Sequence, residues 1–341
     1  MNYRTLGNSG TIVSTYALGT MTFGAEANES VSHAILNDYV KSGGNFIDTA
    51  DVYSIGVSEE IIGRWIAAHP NDSKEMVIAT KGRFSMGSGT NDVGTSRRHL
   101  HQALDASLRR LGIEQIDLYQ MHAWDAVTPL EETLRFLDDA VRSGKIAYYG
   151  FSNFLGWQLT KAVHIAAAKS FAAPITLQPQ YSLLAREIES EIVPASLDAK
   201  IGLLPWSPLA GGWLTGKYRR DIDPTGATRL GEDLYGAKET WDPRNKQART
   251  WQIIDAVGAI ANSRGITSAQ VALAWCENQP AVTSVILGAR STDQLADNLA
   301  ASSIALSVEE LKVLDEVSAP IVGDYPYGKA GVNQRYRGIK E

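Results

Sequence analysis

The sequence predicts an α/β protein, a (β/α)₈ TIM barrel with an N-terminal β-hairpin beneath it and a C-terminal tail over it, on three observations. Eight short apolar segments alternate with helix-period patterns along the chain. Such alternation builds a parallel sheet, and eight units favour a closed barrel over an open sheet. Asp48, Lys81 and His122 each end a different apolar segment or follow it directly, and a barrel of this kind carries its chemistry at the C-terminal ends of its strands. No Gly-x-Gly-x-x-Gly follows any segment, so a Rossmann dinucleotide site has no support.

The elements follow in order. Asn2–Leu6 and Thr11–Ala17 flank the turn-forming run Gly7-Asn8-Ser9-Gly10 and read as a hairpin floor over residues 2–17. Ala17-Leu18-Gly19 opens the barrel, followed by Asn45-Phe46-Ile47, Met76–Thr80, Ile116–Met121, Ala147–Phe151, Ile175–Leu177, Gly202–Trp206 and Thr283–Leu287. Helical patterns lie between them, such as Val31–Ser42 and Thr95–Leu111, the latter with Leu100, Leu104, Leu108 and Leu111 on one face. Thr128-Pro129-Leu130-Glu131 reads as a capping box with proline at the first helical position, starting a helix over Pro129–Ser143. Residues 218–245 are polar and rich in Gly, Asp and Arg, which suits a long functional loop. Residues 319–341, with Pro326, Gly328, Gly331 and several tyrosines, read as an irregular cover. No linker divides residues 1–341, which are expected to form a single domain.

Composition narrows the function classes. A chain of 341 residues with 44% hydrophobic and 21% charged residues can bury a large core without staples. Cys276 is the only cysteine, so no internal disulfide and no Cys₂His₂-type zinc site can form, and no metal is expected. The net charge of −6 argues against nucleic acid and anionic membranes as partners. The N-terminus lacks a signal-like apolar stretch and no apolar run spans a bilayer. A cytoplasmic protein is the default reading; nothing in the pattern fixes an oligomeric state.

Asp48, Tyr53, Lys81 and His122 form the candidate chemistry. A tyrosine has a reference pKa of about 10 and donates poorly at neutrality unless a cation favours its phenolate. Lys81 supplies such a charge, Asp48 orients it, and His122 offers a hydrogen bond to a carbonyl oxygen. Singly, a Lys or His at a strand end is more often a hydrogen-bonded structural residue; convergence of the four is what singles them out.

Longer motifs narrow the reading. Gly43-Gly44-Asn45-Phe46-Ile47-Asp48-Thr49-Ala50-Asp51-Val52-Tyr53, Ile78-Ala79-Thr80-Lys81, Asp117–His122 and Gly150-Phe151-Ser152-Asn153-Phe154 occur in order. Gln178–Ser182, Trp206-Ser207-Pro208-Leu209, Gly211–Tyr218 and Leu287-Gly288-Ala289-Arg290 complete the series. Together they resemble the aldo-keto reductase superfamily over nearly the whole chain, nearest its bacterial, potassium-channel-β-subunit-like branches. The resemblance implies a barrel with NADPH extended across its mouth and maps the acid–base tetrad onto Asp48, Tyr53, Lys81 and His122.

It further implies a cofactor path. Gly19, Thr20, Met21 and Asp48 would contact the cofactor, Ser152, Asn153 and Gln178 would hold the nicotinamide carboxamide, and Trp206 would stack on its ring. Ser207, Leu209, Gly211 and Lys217 would line the pyrophosphate, where glycines let backbone N–H groups approach. Gly288 and Arg290 follow the eighth strand, and Ser291-Thr292-Asp293-Gln294 reads as a capping box. A helix start beside an arginine suits a phosphate, here the 2′-phosphate of NADP(H), with Gln294, Asn298 and Asp297 toward the adenine. NAD(H) stays open as the alternative. Phe23, Tyr53, His122 and Trp124 are the substrate-pocket candidates, with Tyr327 and the tail nearby, although core packing explains Phe23, Trp124 or Tyr327 equally well. Met21 replaces a common tryptophan, and Ile286-Leu287-Gly288 replaces Ile-Pro-Gly. The expected activity is reversible hydride transfer between NADP(H) and a small-molecule carbonyl or alcohol. The alternatives are an NAD(P)-dependent alcohol or sugar dehydrogenase and an NADPH-binding regulatory subunit of a channel.

Overall fold

The computed structural model describes residues 1–226 and 228–335. The chain begins with an antiparallel hairpin, β1 (Tyr3–Thr5) and β2 (Ile12–Ser14). Its second arm ends at Ser14, earlier than the sequence suggested, because Tyr16 already belongs to the first barrel strand. That strand, β3 (Tyr16–Gly19), is followed by β4 (Phe46–Asp48), β5 (Val77–Gly82), β6 (Ile116–Met121) and β7 (Ile146–Ser152). The last three are β8 (Thr176–Gln178), β9 (Gly202–Leu203) and β10 (Val285–Gly288). All eight barrel strands pair in parallel, in the order β10-β3-β4-β5-β6-β7-β8-β9. They coincide with the eight segments expected from the sequence. The ring closes between β9 and β10 through one bridge, Leu203 to Val282, and a bond from Ile286 N to Pro205 O of 2.9 Å.

Strand residues alternate between the two faces of a sheet, and that period sorts two apolar layers. Ala17, Phe46, Val77, Ala79, Leu118 and Ile286 fill the barrel, joined from below by Leu6 and Val13 of the hairpin region. Their neighbours Leu18, Ile47, Ile78, Tyr119 and Leu287 face outward into the layer under the helices. Burial on both faces explains the near-continuous apolar strands. Gly7 shows how tightly the floor is applied: with φ of +55°, its place for a Cβ lies 1.9 Å from Ile175 O. Only glycine fits there.

The helices that hold the site follow local signals. Asn28 caps α1 (Glu29–Lys41) by accepting from Val31 N at 3.0 Å. After α2 (Val57–Ala68), α3 (Arg97–Leu111) starts on Ser96 and stops at Gly112 in the left-handed region. In α4 (Leu130–Arg142) the expected capping box does not form. Pro129 itself occupies the cap position, and the Thr128 hydroxyl donates to Asp125 Oδ2 at 2.7 Å instead.

Later come α5 (Gly156–Lys169) and α6 (Ile192–Asp198), then α7 (Trp241–Asn245), α8 (Ala248–Arg264) and α9 (Ser268–Glu277). The end of the 218–245 segment is therefore helical, anchored by Trp241 stacked on Trp213 at 4.9 Å. The remaining helices are α10 (Thr292–Leu299), α11 (Val308–Ser318) and α12 (Lys329–Arg335). The last gives the tail, expected to be irregular, an ordered helix; residues 336–341 of that tail lie outside the described residues. Among the described residues no helix is long and apolar enough to cross a membrane, and no cluster of His, Cys, Asp or Glu side chains is arranged to hold a metal ion.

Candidate active site

The same two-residue period that fills the barrel also delivers polar groups to its mouth. Phe46 points inward, so Asp48 does too; Val77 and Ala79 are followed by Lys81, and Leu118 by Gln120 and then His122. Register aligns their heights, with Gly19 beside Asp48, Asp48 beside Ala79, and Lys81 beside Gln120. His122 N donates to Gly82 O at 3.1 Å, which seats it against the end of β5. Tyr53 arrives by a turn after β4. Asp51 N bonds Lys81 O at 3.1 Å, and the turn over Tyr53–Gly56 then folds back through Ser54 and Ile55, both with positive φ.

These four side chains meet as the sequence led one to expect. Lys81 Nζ donates to Asp48 Oδ2 at 2.6 Å, to Thr49 O at 2.7 Å and to Tyr53 Oη at 3.5 Å. Asp48 Oδ1 in turn accepts from Gln178 Nε2 at 2.8 Å. Tyr53 and His122 meet edge to face at 5.9 Å.

Burial and charge set their protonation. Burial pulls the Lys81 ammonium down, but the Asp48 carboxylate and Tyr53 outweigh it, and the net shift is upward. For Tyr53, burial pushes the phenol up more than Lys81 pulls it down, so the net direction is also upward. The cation thus restrains the rise rather than acidifying the phenol outright, a correction to the simple expectation. Burial, with help from Lys81 and Arg83, holds His122 well below the usual imidazole range, so the ring is neutral near pH 7. Its Nδ1 is buried without a hydrogen-bond partner among the described residues.

A cleft of about 690 Å³ opens beside this group, and every residue named for cofactor contact on sequence grounds borders it. At its inner end Ser152 Oγ donates to Gln178 O at 2.9 Å. Asn153, with φ of +55°, donates to His122 O at 3.0 Å and accepts from Trp206 Nε1 at 3.2 Å. The Gln178 amide nitrogen is committed to Asp48, which leaves its oxygen for a ligand. At the outer end Lys217, Arg229 and Arg290 crowd together; burial lowers the Lys217 pKa, and the two arginines lower it further. Gly211 and Gly212 turn there with φ of +70° and +93°, and a Cβ on Gly212 would fall 2.6 Å from Lys217 Nζ. Ser291 caps α10 by accepting from Gln294 N at 3.3 Å, while Gln294 Oε1 reaches back to Arg290 N at 3.0 Å, one residue beyond a capping box. Crowded cations at a glycine turn and a helix start suit a phosphate-bearing ligand.

The substrate side departs from expectation. Phe23 is fully buried in the core and shows the cleft no surface. Trp124 does not border the cleft; it packs edge-on against Phe154 at 5.3 Å and Trp157 at 5.4 Å. The Tyr327 hydroxyl is engaged with Glu191. Conversely, Glu26, Arg229 and Thr267 border the cleft and were missed. Of these, Thr267 was legible, since Thr267-Ser268-Ala269-Gln270 is the capping box that starts α9.

The aldo/keto reductase family model matches residues 16–319. The chain belongs to the aldo/keto reductase family. It is 35% identical over 334 residues to the oxidoreductase YrpG of Bacillus subtilis, covering 96% of this chain and 98% of that one. It is 34% identical over 348 residues to versiconal hemiacetal acetate reductase of Aspergillus parasiticus, covering 94% and 98%. It is also 36% identical over 326 residues to a probable voltage-gated potassium channel subunit beta of Arabidopsis thaliana, covering 94% and 97%. As an aldo/keto reductase the protein is an oxidoreductase with a (β/α)₈ barrel, suited to small carbonyl compounds, from a family that generally uses a nicotinamide dinucleotide.

Proposed function

We propose that this aldo/keto reductase reduces an aldehyde or ketone with NADPH, Tyr53 giving the proton. The chain is read as one domain acting in the cytoplasm. The observation that carries the reading is the buried Asp48–Lys81–Tyr53 chain ending beside a cleft with cations at its far end. When bound, the nicotinamide supplies the hydride. Tyr53 Oη gives its proton to the carbonyl oxygen as negative charge gathers there, and Lys81 stabilises the phenolate left behind. Asp48 keeps Lys81 charged and aimed. Neutral His122, its Nδ1 walled off, donates from Nε2 to the same oxygen and sets the approach of the substrate. Tyr53 regains a proton from water before the next cycle, and the reverse sequence oxidises an alcohol.

Lys217, Arg229 and Arg290 favour NADPH over NADH in this reading. Tyr53→Phe tests it: reduction of 4-nitrobenzaldehyde is expected to fall by about 10²–10⁴-fold, with NADPH still quenching protein fluorescence. Full activity in that variant rejects the role of Tyr53, and NADH ten-fold better than NADPH rejects the phosphate assignment. The relatives named as channel β subunits favour a second reading, a dinucleotide-binding regulatory subunit. Tight NADPH binding with negligible turnover across aldehydes, ketones and alcohols would support it.

A further inference from the structure

The strand that delivers Lys81 ends in an unusual way. Arg83, just past Gly82, has φ of +148°, a conformation that costs a residue with a side chain about 1–3 kcal/mol. The backbone is held there by Gly94 N, which donates to Arg83 O at 2.8 Å across the base of the intervening loop. Strain of this kind persists only where the surroundings enforce it, and it concentrates at working sites.

The guanidinium lies over the Phe84 ring at 5.0 Å, and Phe84 meets the His122 ring edge-on at 4.7 Å. Arg83 is close enough to help depress the His122 pKa. Its Nε is buried without a partner, and its one acceptor among the described residues is Trp124 O, 3.4 Å from Nη2. The nearby Asp125 carboxylate is taken up by Thr95 N, Val127 N and the Thr128 hydroxyl. Other arginines here do find carboxylates: Arg110 holds Glu59 at 2.6 Å and Arg186 holds Glu189 at 2.7 Å. Arg83 forms no ion pair among the described residues. Arg83 and Phe84 lie outside the cleft lining itself and meet the site through His122. A planar cation with a fork of donors at that edge of the proposed carbonyl site matches the two oxygens of a carboxylate or phosphate.

We propose that Arg83 binds an anionic group on the substrate, so that the preferred carbonyl compounds carry a carboxylate or phosphate on the side of His122 where Phe84 stands. This deepens the reduction reading and rests on it. The test uses near-isosteric aldehydes: neutral 4-nitrobenzaldehyde, anionic 4-carboxybenzaldehyde, and 4-formylphenyl phosphate to separate the two anions. In Arg83→Gln the kcat/KM ratio of an anionic substrate to the nitro compound is expected to fall at least ten-fold, mainly through KM, with partial recovery in Arg83→Lys. Whichever anion loses more names the natural group. An unchanged ratio, or equal losses for neutral and charged substrates, overturns the proposal and leaves Arg83 a structural residue.

If the wild type reduces none of these aldehydes, the reduction reading falls on its own. Calorimetric binding of 4-carboxybenzaldehyde to the NADP⁺-loaded wild type, lost in Arg83→Gln, still decides the anion site. Equal binding by the two proteins overturns it.

Discussion

Lys81 Nζ stands 2.6 Å from Asp48 Oδ2, with both side chains sealed from solvent. Taking either charge away leaves the other buried without its counter-ion, which costs about 3–5 kcal/mol. Lys81→Met is expected to destabilise the fold in that range, toward its lower end because Gln178 still donates to Asp48. Adding Asp48→Asn should recover part of the loss. Urea unfolding of the single and double variants reads the coupling; additive losses would mean that the pair is not a unit.

The pH dependence of turnover follows from two shifted groups. The Tyr53 phenol is pushed up, so its acid form persists through the whole neutral range. Carbonyl reduction should therefore stay flat across neutral pH and decline only above about pH 10. Alcohol oxidation, which needs the phenolate, should climb with pH instead. His122 is held well below its usual range and adds no limb near pH 6–7. A steep fall in reduction between pH 6 and about 8 would contradict both assignments.

Asp51 offers a stability test apart from turnover. Fully buried, it has its pKa raised to about 7, first by burial and then by Glu59, against the Val52 backbone N–H, Arg110 and Lys81. The folded pKa exceeds the unfolded value, so the folded state holds the proton more tightly. This contribution is full below about pH 4 and is lost as the pH rises through about 7. Asp51→Asn should therefore gain on the wild type by up to about 4 kcal/mol between pH 4 and 8. Thermal melts across that range check it; a constant difference would rule it out.

Gly82 and Tyr119 are coupled by space. A Cβ on Gly82 would lie 2.2 Å from Tyr119 Oη, which is buried without a partner among the described residues. Gly82→Ala is expected to cost about 1–3 kcal/mol alone. On a Tyr119→Phe background the cost should fall by at least about 0.5 kcal/mol, as chemical denaturation would register. An identical cost on both backgrounds would exclude the clash.

At the far end of the cleft, Glu232 Oε2 lies 3.3 Å from Arg290 Nη1. In the proposed NADPH reading, an incoming 2′-phosphate would compete with that carboxylate. Glu232→Gln should tighten NADPH binding and leave NADH nearly unaffected. Arg290→Ala should weaken NADPH by about ten- to a hundred-fold, the worth of one charge-assisted contact. Titrations of each dinucleotide would decide, and parallel shifts for both would dismiss a phosphate-specific role.

The barrel was legible because two simple periods repeat. Alternation marks strands such as Val77–Gly82, and the leucines of Arg97–Leu111 mark a helix. That Asp48, Lys81 and His122 would gather at the mouth was legible because they sit at or just past strand ends, where inward-facing positions run out of apolar residues, while Tyr53 arrives by the turn after Asp48. Other features depend on distances that no local pattern encodes. Phe23 looks the same in a sequence whether it lines a pocket or fills the core. Thr128 makes a plausible cap until Asp125 is seen to take its hydroxyl. The net rise at Tyr53 balances burial against one cation, and only geometry weighs them. Arg83 gave no sequence signal, because what sets it apart is a backbone angle and a missing partner.

The two-residue stave Gly202–Leu203 closes the ring through its bridge to Val282 and the Ile286 N to Pro205 O bond, a short joint. Trp206 and Ser207 on one bank and Gly288 and Arg290 on the other place the cleft astride it. Whatever lodges there works as a clasp, and mass action alone then hardens the loaded protein. Amides along this joint should exchange fastest when the clasp is absent. Heat and proteases would then find the idle enzyme well before the working one.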